Sequence, residues 1–179
     1  MNLSQRPYDE LLAMAANPET PVETLVEIAN IPCYVLRGQL AQIRGLPLEV
    51  LTILADEEVH EVQELMLMFQ TIPEELLRRM GERDLLTRSM IAGTPKTPVS
   101  LLISLAADEE DEVRAQVAAN PSTPAAIIEQ LLKDESALVR GSVASNPAVS
   151  LETVLSLADH TAPLFQACVS ESLSDEHSF

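Results

Sequence analysis

Apolar residues recur along this chain of 179 residues in two alternating patterns. In the first they occupy positions i, i+4 and i+5, and in the second i, i+3 and i+4. Spacings of three to five residues place side chains on one face of a helix. The first pattern is seen in Leu36, Leu40, Ala41; Val62, Met66, Leu67; Val113, Val117, Ala118; and Val139, Val143, Ala144. The second is seen in Leu25, Ile28, Ala29; Leu51, Leu54, Ala55; and Leu102, Leu105, Ala106.

Prolines divide these patterns into repeats of about 26 residues. Pro21, Pro47, Pro73, Pro98 and Pro124 follow at steps of 26, 26, 25 and 26 residues, and the missing residue falls within 81–84. Each repeat holds one copy of each helical pattern, so its two helices have about eight to eleven residues and are too short to be stable alone. Neighbouring repeats must stabilise one another, as in a solenoid. We therefore predict an all-α, right-handed α-solenoid of about six two-helix repeats.

The predicted organisation is an N-terminal cap over residues 1–10, one solenoid domain over 11–170 and a flexible acidic tail over 173–179. The repeats cover 11–35, 36–61, 62–86, 87–112, 113–138 and 139–164, and a partial unit covers 165–172.

The second helix of each repeat is predicted to begin at its proline. In repeat one, Thr20 would be the N-cap, Pro21 the first helical residue and Glu23 the partner in a capping box. Thr97-Pro98 and Thr123-Pro124 repeat this start signal.

One segment carries a family resemblance. Residues 111–124 (DEVRAQVAANPSTP) resemble the repeat core of the leucine-rich repeat variant family and, more loosely, HEAT and armadillo-like repeats. Residues 136–147 and 15–21 are similar to it. The resemblance implies a right-handed superhelix of paired helices, one of each pair short and either α or 3₁₀. Some members of that family carry an iron–sulfur cluster on N-terminal cysteines; these cysteines are absent here, so no cofactor is predicted.

The charge is strongly acidic, with a formal net charge of −17 and only 11 lysines and arginines. Nucleic-acid affinity comes mostly from basic side chains that neutralise phosphates, so nucleic-acid binding is disfavoured. The acidic turns 56–58, 108–112 and 134–135 share one position of the repeat and line one edge. That edge is either a solvated surface or a ridge for a basic partner.

Other residue types argue against catalysis, metal binding and membrane insertion. Cys33 and Cys168 are far apart and form neither a disulfide framework nor a zinc motif. His60, His160 and His177 belong to no catalytic motif. No apolar stretch reaches about 18 residues, the length of a membrane span. We predict a cytoplasmic protein that is not an enzyme and has no catalytic, cofactor or metal site.

Arginines recur at one position of the repeat and open two interpretations. Asp108 lies six residues before Arg114, and Asp134 lies six residues before Arg140. Such carboxylates can pair with the arginine of the following helix, within or across repeats, as a structural charge ladder. The alternative is a recognition stripe.

Repeats two and three break the polar pattern at the end of the first helix. Other repeats carry Asn-Pro or Thr-Pro there, whereas these have Ile43-Arg44 and Phe69-Gln70, with Met68 adjoining. Phe, Met and Arg are enriched in interface cores, so these five residues form the predicted partner site. The alternative is that the altered loop folds Met68 and Phe69 inward.

These observations favour a protein–protein interaction module, with a basic protein as the partner that the acidic edge would suit. The alternatives are an acidic nucleic-acid mimic that occupies a basic groove, and a metalloprotein.

Overall fold

The computed structural model describes residues 3–150, in which eleven α-helices follow a short 3₁₀ helix, Leu3–Gln5, and no strand occurs. The helices alternate as first and second members of successive repeats. The first helices are α1 (Tyr8–Ala16), α3 (Tyr34–Ala41), α5 (His60–Phe69), α7 (Leu85–Gly93), α9 (Asp111–Ala119) and α11 (Ala137–Ala144). The second helices are α2 (Val22–Ala29), α4 (Leu48–Ala55), α6 (Glu74–Gly81), α8 (Val99–Leu105) and α10 (Ala125–Leu131). The all-α prediction is confirmed. Residues 151–164 of the sixth predicted repeat, the partial unit 165–172 and the tail 173–179 lie outside the described residues.

Two compact units make up the chain, the first ending at Arg83 and the second beginning at Asp84. The boundary coincides with the repeat that is one residue short. In the first unit α1, α3 and α5 stack in one layer, and α2, α4 and α6 stack in another. In the second unit α7, α9 and α11 stack, and α8 and α10 pack against α9. Each unit is thus a stack of two-helix repeats, which is the α-solenoid arrangement. The single domain over 11–170 and the right-handed superhelix stay predictions.

The apolar columns read from the sequence form the core. The first-helix residues Leu36, Leu40, Val113 and Val117 are buried, as is Ile28 of the second-helix column. Because each of these short helices has only about two turns, its stability comes from this burial and not from helix propensity. Truncating such a buried leucine or isoleucine to alanine costs about 2–5 kcal/mol.

The predicted capping of the second helices is wrong. Pro21 is itself the N-cap of α2, with an extended ψ of 145°, and no side-chain capping hydrogen bond is made there, so Glu23 forms no capping box. The Thr20 hydroxyl instead donates to the carbonyl oxygen of Met14 at 2.5 Å. Thr97 and Thr123 likewise donate to the carbonyls six residues before them, at 2.5 and 2.6 Å. These hydroxyls add a second hydrogen bond to carbonyls in the last turn of the preceding helix, each of which also accepts the backbone N–H three residues later.

The second helices of the described repeats are short α-helices of seven or eight residues. Of the α and 3₁₀ alternatives that the family resemblance left open, the structure shows the α form.

Candidate interaction surface

Arginines on the first helices connect neighbouring repeats. Arg114 of α9 binds the Asp134 carboxylate with two nitrogens, Nε to Oδ2 at 2.7 Å and Nη2 to Oδ1 at 3.0 Å. Its third nitrogen, Nη1, donates to the backbone carbonyl of Asp108 at 2.8 Å. Arg114 therefore joins the turn before its own helix to the turn before the next first helix, and both side chains of the pair are only 11% exposed.

Other repeats use the same geometry. Arg88 pairs with Asp108 at 2.9 Å, and Arg37 pairs with Glu57; in each case the carboxylate lies 20 residues after the arginine. Arg140 donates to the carbonyl of Asp134 at 2.7 Å. The residue six positions before Arg37, Arg114 and Arg140 thus supplies a backbone carbonyl. For Arg37, Arg88 and Arg114 the carboxylate comes from the turn before the next first helix. Asp108, Arg114, Asp134 and Arg140 are joined in one network.

Protonation equilibria reflect the closeness of this pair. The hydrogen bond from Arg114 holds the pKa of the Asp134 carboxyl below its ordinary value, against the opposing effect of burial. The same hydrogen bond raises the pKa of Arg114. Both shifts favour the charged forms, so the pair stays ionised at neutral pH.

Repeat three keeps the backbone contact without the charge. Gln63 takes the place of the arginine in α5, and its amide Nε2 donates to the carbonyl of Glu57 at 2.7 Å. The Glu57 carbonyl is therefore satisfied by a neutral side chain, whereas the Ile31 carbonyl accepts from Arg37.

Buried amides form a second set of contacts between repeats. Asn120 donates Nδ2 to the carbonyls of Ala92 and Thr94, at 2.6 and 2.9 Å. Asn146 makes the equivalent bonds to Ala118 and Asn120, both at 2.8 Å. Each amide thereby holds the end of the preceding first helix and the loop that follows it.

Gln70 makes the equivalent amide-to-carbonyl contact in the first unit. Its Nε2 donates to the carbonyls of Ala41 and Ile43, each at 2.7 Å. By its place in the repeat, Phe69 corresponds to Asn120. In the structure α5 has one residue more than α9, so Gln70 takes the place of Asn120. Gln70 is consequently buried, with 3% of its surface exposed.

The remaining predicted partner residues lie around this contact. Met68 is 57% exposed, Arg44 is exposed, and Ile43 and Phe69 are half-buried. Because Gln70 binds the Ile43 carbonyl, the end of α5, which carries Met68 and Phe69, lies against the loop after α3, which carries Ile43 and Arg44. We call these four residues the α3–α5 surface.

Sequence reasoning missed a further set of exposed apolar side chains. They occupy the first position of several second helices, directly after the proline: Val22, Leu48 and Val99. The signal was available, since the buried second-helix pattern begins three residues later, and an apolar residue ahead of it belongs to the outer face.

The fold and the contacts between repeats define a helical repeat protein. Within it, residues 111–136 match the model of the leucine rich repeat variant family, so this segment is similar to one repeat of that family. The match confirms the resemblance seen at residues 111–124. No curated protein and no solved structure matches the chain with significant similarity.

Two further findings concern residues 3–150 alone. No helix there is long and apolar enough to cross a membrane. Nor do three or more His, Cys, Asp or Glu side chains in that range come together in a group that could hold a metal ion.

Proposed function

We propose that this protein is a non-enzymatic interaction module that binds another protein through the α3–α5 surface. Helical repeat proteins present rigid, extended surfaces because each repeat is positioned by its neighbours. With widely spaced cysteines, among which Cys33 is free, we propose the reducing cytoplasm as its location.

The exposure of Met68 and of Arg44, on two segments that the Gln70 amide joins, is the observation that carries the proposal. In the second unit α9 and α11 end in alanine, whereas α5 ends in methionine and phenylalanine. A thioether is polarizable and adapts to an irregular partner surface. Arg44 pairs with no carboxylate within residues 3–150, although the chain is rich in them. An exposed methionine and an exposed arginine are residue types enriched in interface cores.

The buried Gln70 contact supports the same proposal. Two hydrogen bonds from one amide fix the end of α5 against the loop after α3 before any partner arrives. A surface that is already ordered loses less conformational entropy on binding. Gln70 therefore supports the surface and does not touch the partner.

The test compares the wild-type protein with the double variant Met68→Ser, Arg44→Ala as bait in extracts of the native host. Both side chains are exposed, so the helical circular dichroism and the melting temperature are expected to stay near the wild-type values. Capture of the partner found with wild type should weaken at least tenfold, or about 1.4 kcal/mol. Leu86→Ser, which removes an exposed leucine of the second unit, is the matched control and should bind as wild type does.

Two outcomes would refute the proposal. Binding that survives the double variant would exclude the α3–α5 surface as the docking site. Steep weakening of the complex with rising salt, combined with competition by DNA, would instead favour the nucleic-acid mimic, since such complexes depend on phosphate-like charge.

A further inference from the structure

The second helices α2 and α4 present an apolar strip to solvent. Val22 is 39% exposed and Leu48 is 54% exposed, each at the first position of its helix. The two helices pack side by side, so these equivalent positions are neighbours. We call Val22, Leu48 and the exposed residue that follows each of them the α2–α4 face.

A row of carboxylates runs along this strip. Glu23 and Glu49 directly follow Val22 and Leu48, and Glu75 continues the row on α6, which packs against α4. All three are exposed, and none forms an ion pair within residues 3–150. Acidic residues favour the positive end of a helix. Helices α8 and α10 nevertheless begin without one at this position, so the row is not a requirement for starting these helices.

The strip ends at α6. There Glu74 takes the position of Val22 and Leu48, and it pairs with Arg78 at 2.6 Å. The next arginine, Arg79, pairs with Asp56 at 3.0 Å. These cations are neutralised by their own partners, so they leave the acidic character of the row unopposed.

We propose that the α2–α4 face binds a basic, proline-containing segment of another protein in the polyproline II conformation. Packed helices lie about 8–10 Å apart, which sets the spacing of the carboxylates from repeat to repeat. A polyproline II helix has three residues per turn and rises about 9 Å per turn, so every third side chain points the same way at that spacing. Lysine or arginine at every third position meets Glu23, Glu49 and Glu75 in turn.

The residues between the cations then contact the apolar strip. Proline rings suit Val22 and Leu48 because they are apolar and rigid, and a preformed polyproline II segment loses little entropy on binding. The net charge of −17 attracts a basic segment from a distance. This face shares no residue with the α3–α5 surface, so different variants test the two proposals.

The experiment uses the full chain and two fluorescent peptides of identical composition. One repeats the triplet Lys-Pro-Pro, and the other has all its lysines together followed by all its prolines. Fluorescence anisotropy at low salt should show the triplet peptide binding at least tenfold more tightly than its isomer. Equal binding of the two peptides would show diffuse attraction to an acidic protein and would overturn the proposal.

Three variants locate the contact. Leu48→Ser and Glu49→Gln should each weaken binding of the triplet peptide by about threefold or more, as expected for one exposed contact. Val99→Ser removes the equivalent exposed residue of α8, which has no carboxylate row beside it, and should bind as wild type does. Glu49→Gln keeps the shape of the side chain and therefore tests the face even if Leu48→Ser perturbs α4. Wild-type affinity in a folded Glu49→Gln variant would refute the proposed row, and loss of binding in Met68→Ser, Arg44→Ala would place the peptide on the other surface.

Discussion

Replacing Arg114 with methionine removes one contact between repeats while keeping a side chain of similar length. Arg114 makes two hydrogen bonds to the Asp134 carboxylate and one to the carbonyl of Asp108. The variant leaves Asp134 as a nearly buried carboxylate without its cation, so the second unit should be strongly destabilised.

The magnitude follows from the burial of the pair. A hydrogen bond to a charged group contributes about 1.5–3 kcal/mol, and breaking a buried ion pair costs about 3–5 kcal/mol. Both side chains are 11% exposed, so water screens part of that cost. We expect Arg114→Met to lower the free energy of unfolding by about 2–3 kcal/mol.

Urea titration followed by circular dichroism measures this loss, and hydrogen exchange shows where it falls. The amides of α9 and α11 should lose protection first, because neighbouring repeats carry most of the coupling. Arg79→Met is the matched control. Its pair with Asp56 leaves the two side chains 49% and 63% exposed, and removing it should cost less than about 0.5 kcal/mol.

A double-mutant cycle with Asp134→Asn decides whether the pair itself is responsible. If it is, the double variant should be more stable than the summed single losses predict by about 1 kcal/mol or more. Additive losses, or an Arg114→Met cost no larger than that of Arg79→Met, would refute the ladder as a source of stability.

Two further predictions concern the same contacts. The pKa of Asp134 is lower in the folded protein than its ordinary value of 3.8, so its stabilisation is present at neutral pH and is lost as the pH falls through that value to the folded one. Urea titrations from about pH 6 to about pH 3 should therefore show a steeper loss of stability in wild type than in Asp134→Asn; parallel curves would contradict it. Asn120→Asp removes the donor that bonds two carbonyls in a buried site. It should lower the free energy of unfolding, measured by urea titration at neutral pH, by more than about 2 kcal/mol. The exposed counterpart in repeat one, Asn17→Asp, should lower it by less than about 0.5 kcal/mol. Equal costs would show that the amide contacts add no stability.

The core could be predicted from the sequence because buried residues recur at helical spacing. Val113 and Val117 are four residues apart, so a helix over this segment places both on one face wherever its ends lie. Capping was predicted less well, since one threonine can serve two helices. The hydroxyl of Thr123 could have capped α10, but it donates instead to the carbonyl of Val117 at 2.6 Å. Which group the threonine hydroxyl binds depends on three-dimensional proximity, which the sequence does not reveal.

The candidate site, too, could be predicted from the sequence only in part. The sequence showed that Phe69-Gln70 departs from the repeat pattern. It did not show which of the two residues replaces the asparagine of the other repeats. A glutamine side chain is one methylene longer than asparagine, and α5 is one residue longer than α9. Pairing in the ladder was also ambiguous, because Asp108 lies six residues before Arg114 and 20 residues after Arg88. In the structure the Asp108 carboxylate binds Arg88, and the Asp108 backbone carbonyl accepts from Arg114.

The ladder also shapes what this protein can bind. In the described part of the chain, at least six of the 11 basic side chains pair with carboxylates of the fold: Arg6, Arg37, Arg78, Arg79, Arg88 and Arg114. Each pair removes one cation and one anion from the charges open to a partner and leaves the net charge of −17 unchanged. The remaining surface is therefore more one-sidedly acidic than the composition suggests. Under the proposals made above, a basic segment would meet few competing cations on the α2–α4 face. Arg44, which is not part of the ladder, would give the α3–α5 surface a different chemistry.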